Sequence, residues 1–114
     1  MTVKEFLNLY DIGYQFDEDE LKDIFNMDFD EDENDQVFLV EEETGDNRRW
    51  SRMEYRYIKI NNRYFLAIAD IGLTEYQDNE YLYQPEEMSL KVETKVITVT
   101  ENIWTSIMKG ETNV

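Results

Sequence analysis

Four acceptor side chains fall at the spacing of a calcium-binding loop. Asp30, Asp32, Asn34 and Glu41 take positions 1, 3, 5 and 12 of the D-x-[DN]-x-[DN]-G-x5-E pattern, and Val37 takes the apolar position 8. A cation held there needs oxygen ligands on a chain that turns sharply, and the turn needs glycine at position 6. Asp35 stands in that place. Val37-Phe38-Leu39-Val40 then reads as a strand where a helix should leave the loop. An acid-rich stretch produces such a match by accident, so no metal and no other cofactor is expected.

Other chemistry finds less support. Paired carboxylates can cleave glycosides, but 27 Asp and Glu residues guarantee some pair at suitable spacing. The chain has no histidine, the commonest general base and metal ligand, and no cysteine, so a thiolate metal site and a disulfide framework are both excluded. There is no G-x-S-x-G, no P-loop and no G-x-G-x-x-G. The expectation is a binding protein and not an enzyme.

Charge supplies the strongest signal. The 114 residues carry a net charge of −16. Residues 1–47 hold 17 acids against 2 bases, whereas residues 48–70 hold 2 acids against 6 bases. Acidic runs are usually solvated faces or floppy loops. Here they alternate with Phe16, Leu21, Ile24, Phe25, Met27, Phe29 and the run Val37 to Val40, which a disordered tail would not contain. Folded elements therefore present the carboxylates. The candidate binding set is Asp17, Glu18, Glu20, Asp23, Asp28, Asp30, Glu31, Asp32, Glu33, Asp35, Glu41, Glu42 and Glu43. Such a surface repels nucleic acid and anionic lipid, and it attracts a basic protein quickly and in a salt-dependent way.

The elements that position these groups follow from local pattern. Thr2 caps a helix over residues 3–10 that Gly13 ends, and Asp17 to Glu20 open a second helix with Leu21, Ile24 and Phe25 on its apolar face. Asp28 to Asp35 reads as a loop, Gln36 to Thr44 as a strand and Gly45-Asp46-Asn47 as a turn. Strand periodicity runs from Trp50 to Lys59, turns at Asn61-Asn62 and returns from Tyr64 to Ile71, where Gly72 breaks it. Thr74 to Tyr83 is a short helix or an ordered loop. Leu90 to Thr100 is a last strand, with Val92, Thr94, Val96, Thr98 and Thr100 on one face. Asn102 to Met108 is left unassigned, and Gly110 to Val114 is a frayed tail. The fold class is α+β in one domain over 1–114: two N-terminal helices packed on a mostly antiparallel sheet of about four strands. Arg48, Arg49, Arg52, Arg56 and Arg63 are expected to neutralise carboxylates on neighbouring strands.

Arg49-Trp50, the hairpin Asn61-Asn62-Arg63-Tyr64-Phe65, the run Gly72-Leu73-Thr74-Glu75-x-Gln77-x-Asn79-Glu80, Gln84-Pro85-Glu86-Glu87, and Val96-x-Thr98-Val99 with Trp104 together resemble short acidic proteins of phages and mobile elements of Gram-positive bacteria. In composition the N-terminal third is similar to DNA-mimicking anti-restriction and anti-CRISPR inhibitors. That resemblance implies a partner class and no site residues: a bacterial defence nuclease whose DNA-binding groove is occupied. Carboxylates one helical turn apart lie about 5–6 Å from one another, and those on one strand face recur about every 7 Å. Both spacings suit a groove built to hold phosphates. The alternative is an acidic structural or assembly protein that pairs sheet edges into a dimer. The N-terminus carries no secretory signal and no apolar run reaches membrane-spanning length, so the expected compartment is the cytoplasm of a bacterial host cell.

Overall fold

The computed structural model describes residues 1–47, 50–74, 77–94 and 100–107. Two helices precede five strands: α1 (Val3–Asp11), α2 (Glu18–Phe25), β1 (Val37–Asn47), β2 (Ser51–Ile60), β3 (Arg63–Gly72), β4 (Glu86–Thr94) and β5 (Thr100–Ser106).

Both helices are fixed at their ends by local chemistry. The Thr2 hydroxyl accepts from the Glu5 amide at 3.0 Å and starts α1. Gly13, at φ +79°, ends it: its amide donates to the Tyr10 carbonyl, and the Tyr14 amide donates to the Leu9 carbonyl. That pair of bonds is a Schellman closure, and its left-handed residue favours glycine. Asp17 starts α2 with a reciprocal capping box. Its carboxylate accepts from the Glu20 amide at 2.8 Å, while the Glu20 carboxylate accepts from the Asp17 amide at 3.0 Å. The same closure ends α2, here with Met27 as the left-handed residue at φ 56°.

The strands form an antiparallel meander in the order β1-β2-β3-β4-β5. The β2–β3 ladder is unbroken from Ser51↔Gly72 to Ile60↔Arg63 and closes at Asn61-Asn62, with positive φ at Asn61. The β1–β2 ladder shifts register between Leu39 and Glu41 and again between Thr44 and Asn47, two bulges that add twist. β3 and β4 share only three pairs, Tyr64↔Met88 to Leu66↔Glu86. Beyond them β4 pairs with β5 from Met88↔Ser106 to Thr94↔Thr100.

The α+β class, the two N-terminal helices and the antiparallel sheet agree with the sequence reading, and three strand boundaries do not. β1 continues through Gly45-Asp46-Asn47, where a turn was expected, because the second bulge absorbs the irregular residues into the ladder. The expected strand Leu90 to Thr100 is two strands, β4 and β5, with residues 95–99 between them outside the described set. A continuous β-branched run without glycine, proline or asparagine gives no turn signal. The unassigned stretch from Asn102 is most of β5, which brings the strand count to five. Thr74 to Tyr83 forms no helix among its described residues and is held by an Asp70↔Glu80 bridge. Gly72 has no room for a side chain, since a Cβ there would meet the Gln77 carbonyl oxygen at 2.2 Å. Arg48, Arg49 and the tail from Gly110 lie outside the described residues.

The helices cover one face of the sheet. Val3, Phe6 and Tyr10 of α1 and Leu21, Ile24 and Phe25 of α2 pack on Ile58, Ile60, Phe65, Ala67 and Ala69. Phe6 is the centre of this core, with its ring 5.0 Å from Phe65, 5.4 Å from Phe29 and 5.5 Å from Phe16. Each large side chain removed from water contributes on the order of 1.5–3 kcal/mol.

Among the described residues the opposite face has no helix, and the sheet folds over it. In a flat sheet β2 and β5 would lie three strand spacings apart, about 14 Å. Instead Trp104 of β5 stacks on Tyr57 of β2 at 4.3 Å, meets the Tyr64 ring at 5.6 Å and donates its indole N–H to the Glu41 carboxylate of β1. The β4–β5 arm therefore curls back across the open face.

Candidate protein-binding interface

The acids of α2 divide by role. Asp17 and Glu20 form the capping box, and Glu20 also accepts from the Tyr14 hydroxyl at 3.0 Å. That bond, more than any burial, raises the Tyr14 pKa above its ordinary value. Glu18 is exposed and meets the Tyr81 amide at 3.5 Å. Asp23 is half-buried. Asp19, which sequence reasoning omitted, is exposed and lines a groove of about 400 Å³ with Glu18, Lys22, Asp78, Asn79 and Tyr81.

The loop after α2 is tied at both ends and open in the middle. Asp30 pairs with Thr2 in a short parallel bridge, its amide donating to the Met1 carbonyl. Its carboxylate, 84% exposed, lies 3.6 Å from the N-terminal ammonium. At the other end Asp35 folds back: its carboxylate accepts from the Asp32 amide at 3.0 Å and from the Asn61 side chain at 3.3 Å. Asn61 also exchanges hydrogen bonds with the backbone of Gln36. Asp35 thus has a loop-closing role, and the β2–β3 turn holds the loop's end. Glu31, Asp32 and Glu33 between these ties are exposed, as is Asp28 just before the first of them.

The acids of β1 do not share one surface. Glu41 and Glu43 oppose Tyr57 and Tyr55 on the helix-free face, whereas Glu42 opposes Arg56 on the helix face. Glu41 accepts from Trp104, and Glu42 lies 3.7 Å from the Arg56 guanidinium. Burial, and then the charges of Glu43 and Glu41, raise the Tyr57 pKa. Neither Trp104 nor its partner Glu41 can be paired from sequence, because the contact spans 63 residues.

The described arginines are committed elsewhere. Arg63 makes two bidentate pairs at once, to Glu87 and to Asp11, with bonds of 2.7–3.1 Å that hold its pKa above the ordinary value. Arg52 pairs with the buried Glu54 at 2.8 Å. Arg56 donates to the Phe25 carbonyl and lies 4.1 Å from the centroid of that ring. Among the described residues, no lysine or arginine comes within ion-pairing distance of Asp28, Glu31, Asp32 or Glu33. Asp30, Asp32 and Glu41 do not converge, and no group of three or more carboxylates among the described residues is arranged to hold a metal ion. Among the described residues, no helix is long and apolar enough to cross a membrane.

Comparison of the chain with protein families, with curated proteins and with solved structures gave no match.

Proposed function

We propose that this protein binds a basic, nucleic-acid-binding protein and occupies the groove that normally holds phosphates, with a bacterial defence nuclease as the partner class. One observation carries the reading. The described arginines neutralise carboxylates of the sheet and of α1, and among the described residues they leave the exposed Asp28, Glu31, Asp32 and Glu33, between α2 and β1, without a cation. A folded surface of unneutralised charge costs stability through self-repulsion. A partner's lysines and arginines remove that cost on binding. The loop is anchored at Asp30 and Asp35, so its carboxylates are presented on a fixed backbone and not on a floppy tail.

The test separates presenting acids from structural ones. Asp28→Asn, Glu31→Gln, Asp32→Asn and Glu33→Gln together should leave the fold intact, since exposed changes of this kind cost under about 0.5 kcal/mol each. In competition with duplex DNA for an RNA-guided nuclease or a restriction enzyme, the parent should displace DNA and the variant should not. The salt dependence of binding should fall with the charges removed. A folded variant that competes as well as the parent rules the reading out.

A second reading, an acidic assembly protein joined through its sheet edges, is favoured by the exposed edge of β1. Sedimentation distinguishes it: obligate self-association without affinity for any basic protein supports assembly.

A further inference from the structure

We propose that the outer edge of β1 docks an extended lysine- or arginine-rich segment of the partner, which joins the sheet as a sixth strand. This deepens the function proposed above and takes from it only the sign of the partner's charge.

β1 stands first in the sheet order and is paired with β2 on one side. Among the described residues, no hydrogen bond from another element reaches the backbone of its other side. An 11-residue strand so placed offers a row of N–H and C=O groups to any chain that can pair with it. The two bulges leave Glu41 to Thr44 as the stretch of regular register between them, so the ladder would centre there. Phe38 and Leu39, 46% and 36% exposed, stand before it on opposite faces, opposite Lys59 and Ile58. They give apolar neighbours to a β-branched partner strand on either side.

Charge decides who the occupant is. The midpoint of Val37–Asn47 is Glu42. Two copies paired antiparallel about that point would set Glu41, Glu42 and Glu43 against the same three residues, and like charges directly opposite destabilise a ladder. A cationic strand turns each of those repulsions into an opposite-charge cross-strand pair. The exposed Glu31, Asp32 and Glu33 lie at the start of the strand, because Asn61 holds Asp35 and Gln36 beside the Val37↔Ile60 pair. The favourable field therefore extends past the end of the ladder.

The probe is a blocked, labelled nonapeptide of alternating threonine and lysine. Its control is the same peptide methylated on every backbone nitrogen, which keeps the charge and loses the donors. Anisotropy at low salt measures affinity, and amide hydrogen exchange on the full chain gives the footprint. The unmodified peptide should bind at least about tenfold more tightly than the control, since several backbone hydrogen bonds are at stake. Exchange should slow across Val37–Asn47 and not across α2. Equal binding of the two peptides, or a footprint on α2 and the acidic loop without β1, overturns strand addition and leaves the charge-based function standing. Binding of neither peptide also overturns it, and the DNA competition assay then judges the proposed function separately.

Discussion

Three tyrosines hold their protons more tightly than free tyrosine, for different reasons. Burial dominates at Tyr57 and Tyr10, with nearby carboxylates adding to it, and the hydrogen bond to Glu20 dominates at Tyr14. A pKa raised in the folded state gives stability that is full below the ordinary tyrosine value of 10.0 and is lost as pH rises through the folded value. The unfolding midpoint should therefore hold steady from neutral pH to about pH 9 and fall steeply above pH 10. Tyrosinate absorbance should show part of the titration late, and Tyr57→Phe should remove some of that late fraction. A titration complete at the free-tyrosine value would contradict the packing of Tyr57 against Trp104. At this scale the sequence identified the acidic set but not its division of labour. Asp17, Glu20 and Asp35 serve a cap and a loop closure, and of these the Asp17–Glu20 pair advertised it, by opening a helix, while Asp35 did not. Asp35 accepts from Asn61, 26 residues away, and nothing local encodes that.

Helices were the legible elements because their signals are short-range. Thr2, Gly13 and the Asp17–Glu20 pair each act within one turn of where they stand. Asp17→Ala removes the carboxylate half of the capping box and keeps the backbone amide that donates to Glu20, so it should cost about 1 kcal/mol in urea unfolding with no change in slope. Asp28→Ala, in the exposed loop, should cost under about 0.5 kcal/mol. Equal effects would mean that α2 is held by its packing on β3 and not by its cap. Strands were harder. The boundary between β4 and β5 falls within a β-branched run that reads as one strand. The expected turn at Gly45 to Asn47 is a bulge, which differs from a turn only in what the neighbouring strand does. Asn61-Asn62 was legible because few residues other than glycine and asparagine tolerate a positive φ.

For the molecule as a whole, a charge of −16 with the described arginines already paired implies net self-repulsion. Raising NaCl from about 20 to about 500 mM should raise the unfolding midpoint, because screening relieves that repulsion more than it weakens a few ion pairs. A falling midpoint would show that the Arg63 and Arg52 pairs outweigh the acidic loop. The class of the fold followed from the order of helical and strand patterns. The curl of the sheet did not, since it depends on Trp104 finding Tyr57 across three strand positions.

That curl rests on a narrow base. Three residue pairs join β3 to β4, while each neighbouring ladder is much longer. Cooperativity in a sheet is only as strong as its shortest ladder, so the chain has a seam. On one side lie the helices and the first three strands with the Phe6 core, and on the other lies the β4–β5 arm, held across the seam by the Trp104 indole, the Arg63–Glu87 pair and the Glu87 amide donating to the Tyr10 hydroxyl. Opening along the seam breaks few bonds and leaves the Phe6 core whole, which makes it a sub-global event of low free energy. The arm should therefore behave as a separate cooperative unit, one that opens and recloses many times before the rest of the molecule unfolds once.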